Sequence, residues 1–131
     1  MKKKSYIYMA TDYDTILKIG HTTALSVRKS QLKKFEGLDY FREFEFNGDR
    51  PKRELYESLL RYAIESRFSV EAYKIDHFAT DYDTIRNIDF EWDNMCQVIV
   101  KEETNIRRAF LRKIDAKASE TFLKKLETMI K

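Results

Sequence analysis

Hydrophobic and polar positions alternate near the start of the chain and fall into helical spacing further on. Residues 5–11, SYIYMAT, alternate and are rich in Tyr and Ile, which predicts a strand. Asp12-Tyr13-Asp14 is a short polar break. Residues 15–20, TILKIG, predict a second strand that closes a hairpin, with Gly20 ending it. Thr22-Thr23 is a candidate N-cap for a helix over 24–36. Leu25, Leu32 and Phe35 form its apolar side, and Arg28, Lys29, Lys33 and Lys34 lie on the polar side. Residues 39–46, DYFREFEF, alternate aromatic with charged and predict a third strand, followed by a turn at Asn47-Gly48-Asp49.

Arg50-Pro51 opens a second helix, because Pro suits the first helical turn. Leu55, Leu59, Leu60, Ala63 and Ile64 carry its helical spacing to residue 67. Residues 69–75, SVEAYKI, predict a short strand or extended connection. From residue 80 the spacing of Ile85, Ile88, Trp92 and Cys96 is helical again, with Trp92 and Phe90 expected to pack the tail onto the domain. Residues 103–116 and 118–130 predict two further helices or one bent one. The order is ββαβα with a helical tail, an α+β class built on a three-stranded antiparallel sheet flanked by helices. Residues 1–78 form the expected core and 79–131 a helical extension packed on it.

The heptapeptide ATDYDTI occurs at 10–16 and again at 79–85. Asp and Thr serve both turns and helix caps, so one heptapeptide can do either job. The identity stops there, which argues for coincidence or a local copy without shared function.

Composition narrows the possibilities. The chain has 131 residues, one domain's worth, with 43% hydrophobic and 36% charged residues, enough for a core. Cys96 is the single cysteine, so an internal disulfide is excluded and Cys96 is expected to be buried. The 3 glycines form no phosphate-cradling loop, which leaves a nucleotide-cofactor enzyme little support. No apolar run reaches membrane-spanning length, and the start soon meets acids, so the chain is expected to be soluble, intracellular and cytoplasmic, with no membrane partner.

The formal charge is +3, but it is unevenly placed. Residues 1–53 carry 12 Lys/Arg against 7 Asp/Glu, residues 76–100 carry Arg86 against six acids, and residues 101–131 carry 9 against 5. Basic surfaces attract phosphate backbones. Lys29, Lys33 and Lys34, with Arg107, Arg108, Arg112, Lys113 and Lys117 of the tail, are candidates for gripping a DNA backbone without reading sequence. The tail alternatively serves as a docking or homodimerising helical hairpin.

Tyr6-Ile7-Tyr8, Lys18-Ile19-Gly20, His21 and Arg28 follow one another in order. In this the chain resembles the GIY-YIG nuclease superfamily, in particular its branch with Lys-Ile-Gly in place of Tyr-Ile-Gly, common in phage, viral and microbial proteins. A helix glutamate, Glu57 or Glu54, then Arg67 and Glu71-Ala72-Tyr73, extend the likeness over residues 5–75. Ser5 stands where the motif has its first Gly, Arg61 or Ser58 where it has a His, and Glu71-Ala72-Tyr73 where it has Glu-Trp-Phe.

The resemblance implies a DNA endonuclease that hydrolyses phosphodiesters with one Mg²⁺ or Mn²⁺ on Glu57 or Glu54. Tyr8 is then the general base, with Tyr6 beside it on the strand. Lys18 is expected next to Tyr8, favouring tyrosinate. Arg28 meets the phosphate and His21 the leaving group. A strand-face pair such as Tyr6 and Tyr8 can equally be core. The departures from the motif leave an alternative, a catalytically inactive viral or phage protein on the same fold that binds a host protein or nucleic acid, with the acidic segment 76–100 as its surface.

Overall fold

A computed structural model describes residues 4–74 and 76–111, the side chains of 102 and 104–111 excepted. Its elements are β1 (Lys4–Thr11), β2 (Ile16–Thr22), α1 (Leu25–Glu36), β3 (Tyr40–Asn47), α2 (Arg50–Arg67), β4 (Glu71–Lys74), β5 (His77–Ala79) and α3 (Tyr82–Leu111). The class is α+β. The sheet has five strands in the order β3-β1-β2-β5-β4, not the three that the alternation predicts. All four pairings are antiparallel. Two strands are added: β4, within the expected short strand or extended connection at 69–75, and β5. The latter, His77–Ala79, is too short to alternate visibly. It pairs with Ile16–Lys18 of β2, so its existence depends on a partner sixty residues away in sequence.

The first hairpin turns at Asp12-Tyr13-Asp14. Asp12 Oδ1 accepts the N–H groups of Asp14, Thr15 and Ile16, each at 3.0 Å, and Tyr13 takes φ 59° in the left-handed region. The second copy of the heptapeptide does related work in another setting. Asp81 Oδ1 accepts from Thr84 N–H at 2.8 Å and starts α3, as Asp12 accepts from Thr15 three residues on. The two copies also meet. Thr80 N–H donates to the Thr15 carbonyl at 2.8 Å, and the equivalent rings Tyr13 and Tyr82 lie edge-on with centroids 5.5 Å apart.

Tyr8 and Ala10 face Leu32 of α1 and Leu38, all buried. On the opposite face of the sheet, Phe44 and Phe46 of β3 lie against Tyr56 of α2. Asp49 caps α2 by accepting from Lys52 N–H at 3.1 Å, with Pro51 in the first turn.

Four local expectations change. Gly20 does not end its strand, which continues to Thr22. The α1 cap is Ala24 without a side-chain bond. Thr22 belongs to the strand, and its Oγ1 accepts from Ala24 N–H at 3.0 Å to turn the chain. Phe35 is 74% exposed and Phe90 is 80% exposed, so neither is core; Leu32 and Trp92 are buried instead. The helices expected from 80 and from 103 are one helix through Leu111, because 82–111 contains no Gly or Pro to break it. The helix expected at 118–130 lies outside the described residues.

The chain divides into two compact units between Phe90 and Glu91, later than the expected boundary at 78. The first turns of α3 belong to the first unit through Asp89. This carboxylate accepts from Tyr13 at 3.0 Å, Tyr40 at 2.7 Å and Arg42 at 2.8 Å. In the second unit Trp92, Met95, Cys96 and Ile99 are buried. Among the described residues no helix is long and apolar enough to cross a membrane.

Candidate functional site

The site is built on the β1–β2 register. Tyr8 stands opposite Gly20, Ala10 opposite Lys18, and Tyr6 opposite Thr22. Lacking a Cβ, Gly20 lets the Tyr8 ring lie across it. A Cβ at Gly20 would come within 2.5 Å of Tyr8 Cζ and 2.9 Å of Cε2, and closest of all to the hydroxyl oxygen. The Lys-Ile-Gly motif therefore has a steric reason for its glycine. The β2–β5 ladder covers Ile16–Lys18, and a last bond runs from Ile19 N–H to the Asp76 carbonyl at 3.0 Å.

Tyr8 is 1% exposed. Burial pushes its hydroxyl up to about 12; the Arg28 guanidinium opposes this, and the carboxylates of Asp76, Glu57 and Glu36 reinforce it. Charged side chains from α1, α2 and the residue before β5 thus act on one phenol of β1. Among the described residues no ion pair joins Arg28 to a carboxylate.

Lys18 is engaged by two carboxylates. In the strand register it faces Ala10, and its Nζ sits between Asp76 at 3.6 Å and Glu36 at 3.7 Å. The cation that favours tyrosinate at Tyr8 is Arg28. His77, buried beside Lys18, joins the same group: Nδ1 is 2.8 Å from Asp76 and Nε2 is 2.7 Å from Glu36. Burial alone would raise both carboxyls, but the bonds to His77 and the Lys18 charge hold Glu36 and Asp76 below their ordinary values. Sequence reasoning missed Glu36 and Asp76 as site neighbours, because nothing in their spacing connects a helix end with a three-residue strand.

His21 accepts a hydrogen bond at Nδ1 from Arg53 Nε at 3.2 Å. Burial lowers its pKa, and Arg53, Arg50 and Arg28 add to this against Glu54. Arg53 was not legible as a site residue, because Arg50, Lys52 and Arg53 read equally as solvated helix charges. Tyr6 is half-buried, and its hydroxyl donates to Glu45 at 3.0 Å.

Of the two candidate metal glutamates, Glu54 is engaged by Arg50 at 2.9 Å and is exposed. Glu57 is the better fit. Its side chain is 16% exposed and its nearest cation is Arg61 at 3.9 Å. Burial raises its carboxyl, Arg61 and Lys18 oppose this, and Asp76 and Glu54 add to it. The upward shift is chiefly the cost of burying the charged carboxylate, a cost that a bound divalent ion would offset. Among the described residues no group of three or more His, Cys, Asp and Glu could hold a metal. The fit is therefore to an ion held by one carboxylate, with water and phosphate oxygens completing its shell, as Mg²⁺ accepts.

The basic candidates separate. Lys29 pairs with Glu43 at 3.2 Å, while Lys33 and Lys34 are exposed on α1. Arg107 and Arg108 lie on α3 without described side chains, and Arg112, Lys113 and Lys117 lie outside the described residues. Half of the acidic segment's carboxylates are engaged within the first unit: Asp76 with Lys18, Asp81 as a helix cap, and Asp89 with Arg42.

The class these features define is a small α+β domain in which a buried phenol lies across a strand glycine and feels the charges of a guanidinium and several carboxylates. No family model, curated protein or solved structure matches the chain.

Proposed function

We propose that the chain is a metal-dependent, GIY-YIG-like DNA endonuclease that hydrolyses phosphodiesters at Tyr8, Arg28, His21 and Glu57. The observation that carries this reading is that Arg28 of α1 and Glu57 of α2 both act electrostatically on the buried Tyr8 of β1, whose ring lies across Gly20. Hydrolysis needs a water to lose a proton, an in-line attack, and positive charge on the phosphorane. Arg28, joined to a carboxylate by no ion pair among the described residues, supplies that charge and can bind the phosphate bidentately. Tyr8 takes the water's proton as tyrosinate. Because its hydroxyl is pushed up to about 12, the fraction in that form rises with pH, and so does the rate. Glu57 would hold the Mg²⁺ or Mn²⁺, which polarises the phosphate when bound.

The test is nicking of supercoiled plasmid by the full chain with Mg²⁺ or Mn²⁺. Arg28→Ala and Glu57→Gln should each lower the rate by roughly 10²–10³-fold. Cutting that survives both substitutions removes the assignment.

A second reading is a binder of nucleic-acid backbone that does not cut. It is favoured by Lys18 being held between two carboxylates and Tyr8 being protonated at neutral pH. Salt-sensitive DNA binding that needs Arg28, without nicking at any pH, would establish it.

A further inference from the structure

The motif's first position holds Ser5 where the resembled family has glycine. Ser5 is 0% exposed, and its hydroxyl has two partners. Oγ donates to the Gly48 carbonyl at 2.9 Å and accepts from Arg53 Nη1 at 3.1 Å. The same guanidinium donates from Nε to His21 Nδ1 at 3.2 Å. Arginine has five N–H donors and no acceptor, and it stays charged in proteins. The nitrogen facing it on His21 must therefore be a lone pair. A neutral imidazole with an unprotonated Nδ1 carries its proton on Nε2. Ser5 is fixed by the Gly48 carbonyl, Arg53 by Ser5, and His21 by Arg53.

We propose that Ser5 and Arg53 form a positioning relay that holds His21 as its Nε2–H tautomer, so that the ring donates a hydrogen bond to a phosphate oxygen and does not act as a base. The relay assigns work to two residues outside the expected catalytic set. It accounts for Ser5 as a functional departure, because a glycine at that position would leave Arg53 Nη1 without this partner. Its chemical use rests on the nuclease reading; the tautomer does not. Arg50 and Arg28 add positive charge around the ring and Glu54 opposes it, so the relay faces a site suited to an anion.

The test is a two-bond ¹H–¹⁵N correlation of the histidine rings in the uniformly labelled full chain near neutral pH. The chain has 2 histidines, so the His21→Gln spectrum assigns the pattern. The wild type should give a pyridine-type Nδ1 and a pyrrole-type Nε2 at His21. Arg53→Gln should collapse the two toward the averaged values of a free ring, and Ser5→Gly should move them part of the way. Plasmid nicking by Arg53→Gln should lose about 10–100-fold in kcat, with Arg53→Lys recovering part of it.

A wild-type ring protonated at Nδ1, or an Arg53→Gln ring unchanged from wild type, overturns the relay. The wild-type spectrum and Ser5→Gly keep the question open to refutation if Arg53→Gln does not fold. The expected spectrum in a chain that never cuts DNA leaves the relay standing and removes the nuclease reading.

Discussion

Gly20→Ala tests the steric basis of the site. Gly20 does not lie in the left-handed region, where among the described glycines only Gly37 falls, so alanine meets no backbone strain there. The obstacle is Tyr8. The new Cβ would lie 2.5 Å from Tyr8 Cζ, 0.9 Å short of the 3.4 Å at which ordinary contact begins. Tyr8 has no free space to retreat into, being 1% exposed and packed with Ala10, Leu32 and Leu38. Overpacking of this kind costs about 1–3 kcal/mol. The loss of glycine's freedom in the unfolded chain returns about 0.4–1 kcal/mol. The net destabilisation is then between about 0 and 2.6 kcal/mol, or a fall in Tm of up to roughly 10 °C for a domain of this size.

The assay is a double-mutant cycle in urea with Tyr8→Leu, which removes the atoms that Cβ would strike. The cycle should be sub-additive by about 1–3 kcal/mol, because the second substitution relieves the clash made by the first. Additivity within about 0.5 kcal/mol would refute the reasoning.

Asp89→Ala removes the shared acceptor of Tyr13, Tyr40 and Arg42 and should cost about 2–4 kcal/mol by urea denaturation, well beyond Tyr13→Phe alone. At the acid end, Glu36 and Asp76 are held below their ordinary values of 4.5 and 3.8. Depressed carboxyls contribute stability above their unfolded values and lose it as pH falls through their folded ones. The wild type should therefore weaken as pH drops below those ordinary values, and His77→Gln should flatten that loss in acid titrations of stability. At the alkaline end, the Tyr8 hydroxyl, raised from 10.0 to about 12, favours the neutral folded form. Its contribution is complete below 10.0 and lost as pH rises toward 12, so Tyr8→Phe should reduce the alkaline slope of stability.

Much of the scaffold is legible in local pattern. The alternation of SYIYMAT and DYFREFEF gives β1 and β3 to within a residue or so, and Arg50-Pro51 marks the start of α2. These signals are local because a strand's two faces and a helix's first turn are written in neighbouring residues. The heptapeptide repeat is also explained locally, by an Asp that accepts the N–H three residues on in both copies. Tyr8, Arg28 and Glu57 were named from their order in the chain, but their order does not say what faces them.

The chain by itself determined the α+β class, the first hairpin, the first two helices and the burial of Cys96. Only the tertiary structure decided that β5 and β4 extend the sheet, that Lys18 pairs with Glu36 and Asp76, and that Arg53 reaches His21. The physical reason is one of range. Periodicity reports which side of an element is apolar, whereas register and burial bring together charges distant in sequence, and that proximity sets the proton on a phenol or an imidazole.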